Sequence, residues 1–189
     1  IVAYIEQQLK KEKGEEASIA DYFDMIVGTS TGGILACYYL SPTEPGSGKP
    51  KFQAADAVDF YSKYGYSIFN ESKRAGWFGL RQLFNATRYN PTELEKIIFQ
   101  MFGNSMLHDL LKPCTLTTYN LDHKKAFFLR SGDHTTRDRT FKVKDAIRST
   151  SAAPTYFPPA YIQNHAPKSE DKHRFMHNID GGVFANNPT

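Results

Sequence analysis

Cysteine is scarce in this chain. Cys37 and Cys114 are the only two in 189 residues, too few for a disulfide-stapled scaffold, and both sit in apolar surroundings that suit small core residues. Long hydrophobic runs are missing as well. None approaches the roughly 18 residues that span a bilayer, and the mean hydropathy is −0.50. The start, Ile1-Val2-Ala3-Tyr4, has no basic leader region and no cleavage site, so no secretory signal is expected. These absences point to a cytoplasmic or peripheral membrane location. An excess of one charge is also lacking: a net charge of +3 is too small to imply a nucleic-acid partner. Aromatic residues, by contrast, make up 14% of the chain, so core volume does not limit a single domain of this length.

The most informative stretch is Val27-Gly28-Thr29-Ser30-Thr31-Gly32-Gly33. It matches the G-x-S-x-G nucleophile elbow, which lifts a serine out of a tight strand-to-helix turn. The flanks agree. Residues 23–27 read as a short buried strand, and residues 33–40 as a helix stopped at Ser41-Pro42. A phosphate loop would need Lys followed by Ser or Thr after its last glycine, and Ile34 follows Gly33. A dinucleotide fingerprint needs G-x-G-x-x-G, and the order here is G-x-x-x-G-G. Gly28 and Gly32 are expected to remove Cβ atoms where main chain must pass closely. Ser30 is then held in strained backbone at a helix N-terminus, where oriented N–H groups favour a developing oxyanion. The N–H of Thr31, the residue after the nucleophile, is the natural first oxyanion donor.

Along the rest of the chain, residues 1–13 read as an amphipathic helix carrying Ile1, Ile5 and Leu9 at helical spacing and ending near Gly14. No N-cap precedes it, so the chain is expected to begin inside a helix and to be a single domain, residues 1–189, incomplete at both ends. Residues 41–50 are a loop by composition. Residues 52–64 read as helix. Asn90-Pro91-Thr92-Glu93 marks a helix start, with Asn as N-cap and Pro at N1, followed by the apolar stripe Leu94, Ile97, Ile98 and Met101 and a terminal Gly103. Residues 114–121, 125–130 and 174–179 read as strands and residues 144–148 as a short helix. Alternation of strands with helices indicates an α/β fold with a mainly parallel sheet.

A serine hydroxyl needs a base to take its proton. Six histidines are available, His108, His123, His134, His165, His173 and His177, and none stands in a compact catalytic motif. Each suits a structural role, and His177, within a strand, could face the core. His173 and His177 have the spacing of a zinc pair on a helix, but the glutamate of H-E-x-x-H is missing. On a strand, four residues separate the rings by roughly 13 Å, too far to share an ion. No metal is expected. Asp180 is the stronger candidate. It ends an apolar strand directly before Gly181-Gly182 and should stand at the carboxyl edge of the sheet, where elbow nucleophiles also stand. An ordinary Asp-Gly turn fits the same spacing.

The elbow after Asp21-Tyr22-Phe23-Asp24, the segment Ser151-Ala152-Ala153-Pro154-Thr155-Tyr156-Phe157-Pro158 and the late Asp180-Gly181-Gly182 together resemble the patatin-like phospholipase family, over essentially the whole chain. The resemblance implies a three-layer α/β/α sandwich and lipid acyl hydrolysis through a Ser-Asp dyad without histidine. Carried over by motif, Ser30 is the nucleophile and Asp180 the base. No metal or organic cofactor is implied, and the substrates would be phospholipids, lysophospholipids or other lipid esters. One departure is clear. The family's D-G-G-G-x-R/K-G loop, whose N–H groups build the oxyanion hole, belongs just before the first residue of this chain. Loss of one oxyanion donor costs on the order of 10²–10³ in rate, so the expectation is an active parent protein and an inactive isolated segment.

Lys73-Arg74-Ala75-Gly76-Trp77-Phe78-Gly79-Leu80-Arg81 places aromatics among basic residues and glycines. Trp77 and Phe78 are candidates for an interfacial contact with membrane, or for a loop that tucks both rings into the core. The basic clusters at Lys10-Lys11-Glu12-Lys13 and Arg137-Asp138-Arg139 read as solvated surface. Three functional classes remain: a lipid acyl hydrolase, a general carboxylesterase or thioesterase with the same dyad, and a non-catalytic storage or interaction protein of the same fold.

Overall fold

The computed structural model describes residues 1–69, 89–136, 138–167 and 174–188. Helix α1, Val2–Lys13, ends at Gly14, whose N–H still reaches the Lys10 carbonyl and whose positive φ of 107° turns the chain out of the helix. The inward face of α1 is not the expected Ile1, Ile5 and Leu9 stripe. Ile1 and Ile5 are exposed, while Val2, Ala3 and Leu9 pack on the core and Glu6 is buried. Glu6 faces inward because its carboxylate has two backbone partners, the N–H of Ala54 at 2.7 Å and that of Ile19 at 3.3 Å. A buried carboxylate is tolerable when its oxygens are so engaged. A short helix α2, Ile19–Tyr22, follows, its start fixed by the Asp21 carboxylate accepting the Ser18 N–H and hydroxyl.

Strand β1, Ile26–Gly28, is shorter and later than expected, because Phe23 is used to end α2. Helix α3, Thr31–Leu40, begins directly after Ser30 and is buried almost all round. Helix α4, Asp56–Phe69, starts four residues after its expected start. Helix α5, Thr92–Phe102, is started by the Asn90 side chain, which accepts the Thr92 N–H at 3.0 Å, and Pro91 flanks the first turn instead of opening it. Leu94, Ile97, Ile98 and Phe102 bury the expected face. Strands β2, Cys114–Asn120, and β3, Lys125–Arg130, form a hairpin, followed by α6, Val143–Thr150. Strand β4, Ala160–Gln163, has no counterpart in the sequence reading, and β5, Phe175–Asp180, closes the set.

Sheet and helices make the α/β sandwich that the resemblance implies, but the strand directions differ from expectation. Among the described residues only β1 and β2 pair in parallel; β2–β3, β2–β5 and β4–β5 are antiparallel. The cause is connectivity. A four-residue turn joins β2 to β3, and a short connection of this kind can only reverse the chain. Strand β5 then enters from the opposite end of the sheet to β1.

The register brings β1 and β5 into line. Strand β3 occupies one edge of β2 from Thr115 to Asn120. Both β1, opposite residues 114–116, and β5, opposite residues 118–120, must therefore lie on the other edge. They approach head to head, and their last residues, Gly28 and Asp180, flank the level of Thr117. Asp180 thus does not share a carboxyl edge with the elbow, as expected, but meets it in the middle of the sheet.

The register is fixed by polar groups as well as apolar ones. Asn120 Nδ2 donates to Asn178 Oδ1 at 2.9 Å, Asn178 Nδ2 donates to Ser149 Oγ at 3.3 Å, and the Thr118 hydroxyl donates to the Ile179 carbonyl at 2.6 Å. All of these side chains are fully buried. A shift of β5 by one residue would leave them unpartnered in the core, a heavy penalty. Helices α3 and α6 pack on this face of the sheet, with Cys37 and Cys114 both in the core beneath them. No described helix is long and apolar enough to cross a membrane.

Candidate active site

Ser30 has φ 56° and ψ −125°, a conformation that side-chain-bearing residues rarely adopt. Several contacts hold it there. Its N–H donates to Thr150 Oγ1 at 2.9 Å, and its carbonyl accepts from Gly33 at 2.9 Å and Ile34 at 3.3 Å. The turn is so tight that a Cβ on Gly28 would lie 2.5 Å from the Gly32 carbonyl oxygen and 2.6 Å from the Gly33 Cα. Only glycine fits at 28. Gly33 is the second glycine the packing demands, since a Cβ there would meet Thr150 Cγ2 at 2.7 Å. Gly32, expected to fill that role, faces open space with nothing within 4 Å.

The preceding residue ties the turn to the sheet. The Thr29 hydroxyl donates to the Ala185 carbonyl at 2.8 Å, which leaves it to accept from Thr117 Oγ1 at 2.7 Å. Thr117 also explains the first glycine after Asp180. A Cβ on Gly181 would overlap the Thr117 hydroxyl and lie 2.5 Å from its backbone carbonyl. The two chain ends can converge on Thr117 only because Gly28 and Gly181 leave room.

Asp180 is 4% exposed. Its N–H donates to the Ala152 carbonyl at 3.0 Å, and its Oδ1 accepts the Gly182 N–H at 2.7 Å. The Ser30 side chain lies close enough to this carboxylate to favour its ionised form. Burial raises the pKa of this carboxyl above its ordinary value, and the Ser30 side chain and the Gly182 N–H offset that only in part.

Ser30 opens onto a cavity of about 170 Å³ whose walls are chiefly apolar: Ile34, Phe60, Leu94, Ala153 and Phe157, with Tyr61 and Tyr156 beside them. Thr31 lines the same cavity. As the first residue of α3 its N–H has no intrahelical acceptor, and its carbonyl accepts from the Tyr61 hydroxyl at 3.1 Å. Burial pushes that hydroxyl up to about 12, so Tyr61 stays a neutral donor. A larger cavity of about 500 Å³ between α5, α6 and β4 includes neither Ser30 nor Asp180.

Among the described residues no histidine lines the Ser30 cavity. His108 Nδ1 bonds the Thr140 hydroxyl, and His165 stands 4.0 Å from Asp145. His177, which could have faced the core, is exposed and bonds Asp122 at 3.0 Å. His173 lies outside the described residues, as do Trp77 and Phe78. The sequence reading missed Thr29, Thr117 and Thr150, hydroxyls whose roles arise only from positions distant in the chain.

A strained serine and a buried carboxyl close to it, with an apolar cavity opening at the serine in an α/β sandwich, make a candidate serine-centred site. The family model for patatin-like phospholipase matches residues 6–189, and the chain belongs to that family. It is 35% identical over 192 residues to Patatin-like protein 1 of Arabidopsis thaliana, covering all of this chain and 45% of that protein. It is likewise 35% identical over 190 residues to Patatin-like protein 1 of Oryza sativa subsp. indica, again covering all of this chain and 45% of that protein. Patatin-03 of Solanum tuberosum is 33% identical over 185 residues, covering 97% of this chain and 45% of that protein. The chain thus spans less than half the length of these curated relatives.

Proposed function

We propose that this domain is the catalytic part of a lipid acyl hydrolase of the phospholipase A or lysophospholipase type, with Ser30 as nucleophile and Asp180 as its base. The observation that carries this reading is the convergence of Ser30, held in strained backbone, on the buried carboxyl of Asp180, whose pKa burial raises and the Ser30 side chain partly lowers. A carboxylate with a raised pKa is a better proton acceptor than an exposed one.

The steps follow from these atoms. Asp180 takes the Ser30 proton as Oγ attacks the ester carbonyl carbon. The tetrahedral intermediate collapses when the alcohol leaves with the proton from Asp180, and the acyl group stays on Ser30. Asp180 then takes a proton from water, which attacks the acyl-enzyme, and the departing Ser30 oxygen receives that proton. The Thr31 N–H serves the developing oxyanion. The apolar walls of the cavity suit an acyl chain, which supports a lipid ester as substrate. Trp77 and Phe78, by their setting among basic residues, are proposed to touch the membrane surface. Replacing both by Ser should weaken vesicle binding and spare hydrolysis of a soluble ester.

The test is hydrolysis of a medium-chain p-nitrophenyl ester by the full-length protein beside Ser30→Ala, Asp180→Asn and single His→Ala variants, with fluorophosphonate labelling in parallel. Loss of turnover in the first two alone supports the dyad. An essential histidine would overturn it, and absence of both labelling and turnover would indicate a non-catalytic protein. The modest cavity volume also favours a second reading, a carboxylesterase or thioesterase with the same dyad. Preference for short soluble esters over phospholipid vesicles would select it.

A further inference from the structure

Residues 150 to 152 run between the two groups of the proposed dyad. The Thr150 hydroxyl accepts the Ser30 N–H at 2.9 Å, and the Ala152 carbonyl accepts the Asp180 N–H at 3.0 Å. Ser151 stands between these anchors. It is 6% exposed, it lines the same cavity as Ser30, and its Oγ is buried without a hydrogen-bond partner.

That isolation is unusual for its position. Ser151 caps the C-terminus of α6, where serine commonly bonds the carbonyl four residues back. Ser41 does so at the same position of α3, donating to the Cys37 carbonyl at 2.8 Å. Ser151 makes no such bond, although its N–H does reach the Ile147 carbonyl at 3.0 Å. A buried hydroxyl left unsatisfied is destabilising, and such groups are retained where a function uses them.

We propose that Ser151 is a third catalytic residue, whose hydroxyl donates a hydrogen bond to the ester carbonyl oxygen of the bound substrate and to the oxyanion formed when Ser30 attacks. An ester carbonyl can only accept, and a hydroxyl can turn its proton to meet it. The inference rests on the Ser30–Asp180 reading and adds to it a side-chain donor that the elbow itself does not contain.

The test compares Ser151→Ala and Ser151→Thr with the wild type and with Ser30→Ala, all in the full-length protein. For Ser151→Ala, kcat on a soluble p-nitrophenyl ester should fall by about 10²–10³-fold, the effect of losing one oxyanion donor, with KM little changed. Fluorophosphonate labelling of Ser30 should slow in step. The melting temperature should hold or rise, because the group removed had no partner to lose. Ser151→Thr, which keeps the hydroxyl, should recover much of the rate. Wild-type kcat in Ser151→Ala overturns the inference. So does a rate loss that comes with a lower melting temperature and is not rescued by Thr, since that marks a structural hydroxyl. If Ser30→Ala abolishes turnover while Ser151→Ala does not, only the role of Ser151 falls. If Ser30→Ala keeps turnover, the dyad reading falls first.

Discussion

Gly28 and Asp180 end their strands on the same edge of β2, opposite Leu116 and Thr118, and point toward each other across the level of Thr117. Two residues of register correspond to about 7 Å along a strand. The chain that leaves each end must turn out of the sheet within that gap, where Thr29 ties to Thr117 and Ser30 and Asp180 are brought close together. Their proximity follows from register, and whatever fixes the register of β5 also positions the proposed base.

The raised pKa of Asp180 gives two linked pH effects. If Asp180 is the proposed base, turnover needs its carboxylate, so the acid limb of kcat/KM should lie above the ordinary aspartate value of about 3.9. For stability, a carboxyl with a raised folded-state pKa favours the fold below its unfolded pKa, and that contribution is lost as pH rises through the folded pKa. At neutral pH, Asp180→Asn should thus melt higher than wild type, with the gap narrowing toward acid. Thermal melts of both proteins across the pH range check this, and an Asp180→Asn variant less stable at pH 7 would contradict it.

Gly28 and Gly32 should respond oppositely to alanine. At Gly28 every close neighbour is backbone and cannot move aside, so Gly28→Ala should destabilise by about 1–3 kcal/mol or more, as for other overpacked sites. Gly32 lies in the first turn of α3 facing open space, so Gly32→Ala should leave the melting temperature unchanged or raise it. Equal losses in both variants would contradict the packing described for the turn.

Thr150→Val keeps the methyl that packs on Gly33 but removes the acceptor of the Ser30 N–H. An orphaned buried N–H costs about 1–3 kcal/mol, and the strained φ of Ser30 loses a restraint. Denaturant titration should show that loss, and kcat should fall with it. Unchanged values of both would mean the turn holds itself without Thr150.

The cavity beside Ser30 should set acyl length. Leu94→Trp or Ala153→Leu adds bulk to its wall and should move preference within a p-nitrophenyl ester series toward shorter acyl groups. A longer optimum, or none, would place the acyl chain elsewhere.

Much of this was legible in the sequence, and the limits have physical causes. The elbow carries its own signature because glycines on both sides of a serine answer a purely local steric demand. Asp180 was visible because it ends an apolar strand before two glycines. Strand direction was not, since the pattern of buried residues in β5 reads alike whichever way it pairs. Strand β4, which starts directly after Pro158-Pro159 and is four residues long, is too short to show a period. The choice between Gly32 and Gly33 depended on Thr150, and the meaning of Thr29 on Thr117 and Ala185. Contacts between distant hydroxyls leave no spacing to read. The burial of Glu6 in α1 leaves no mark in the sequence, because its partners lie on other elements.

The end-to-end meeting of β1 and β5 also orders events in time. A ribosome delivers the elbow early and the aspartate only after β2, β3 and β4 have been made. A nascent chain that has folded its first half carries the serine with nothing to draw off its proton. The proposed pairing of Ser30 with its base is completed only when β5 is laid into the gap, which makes the second half of the chain the gate on the first.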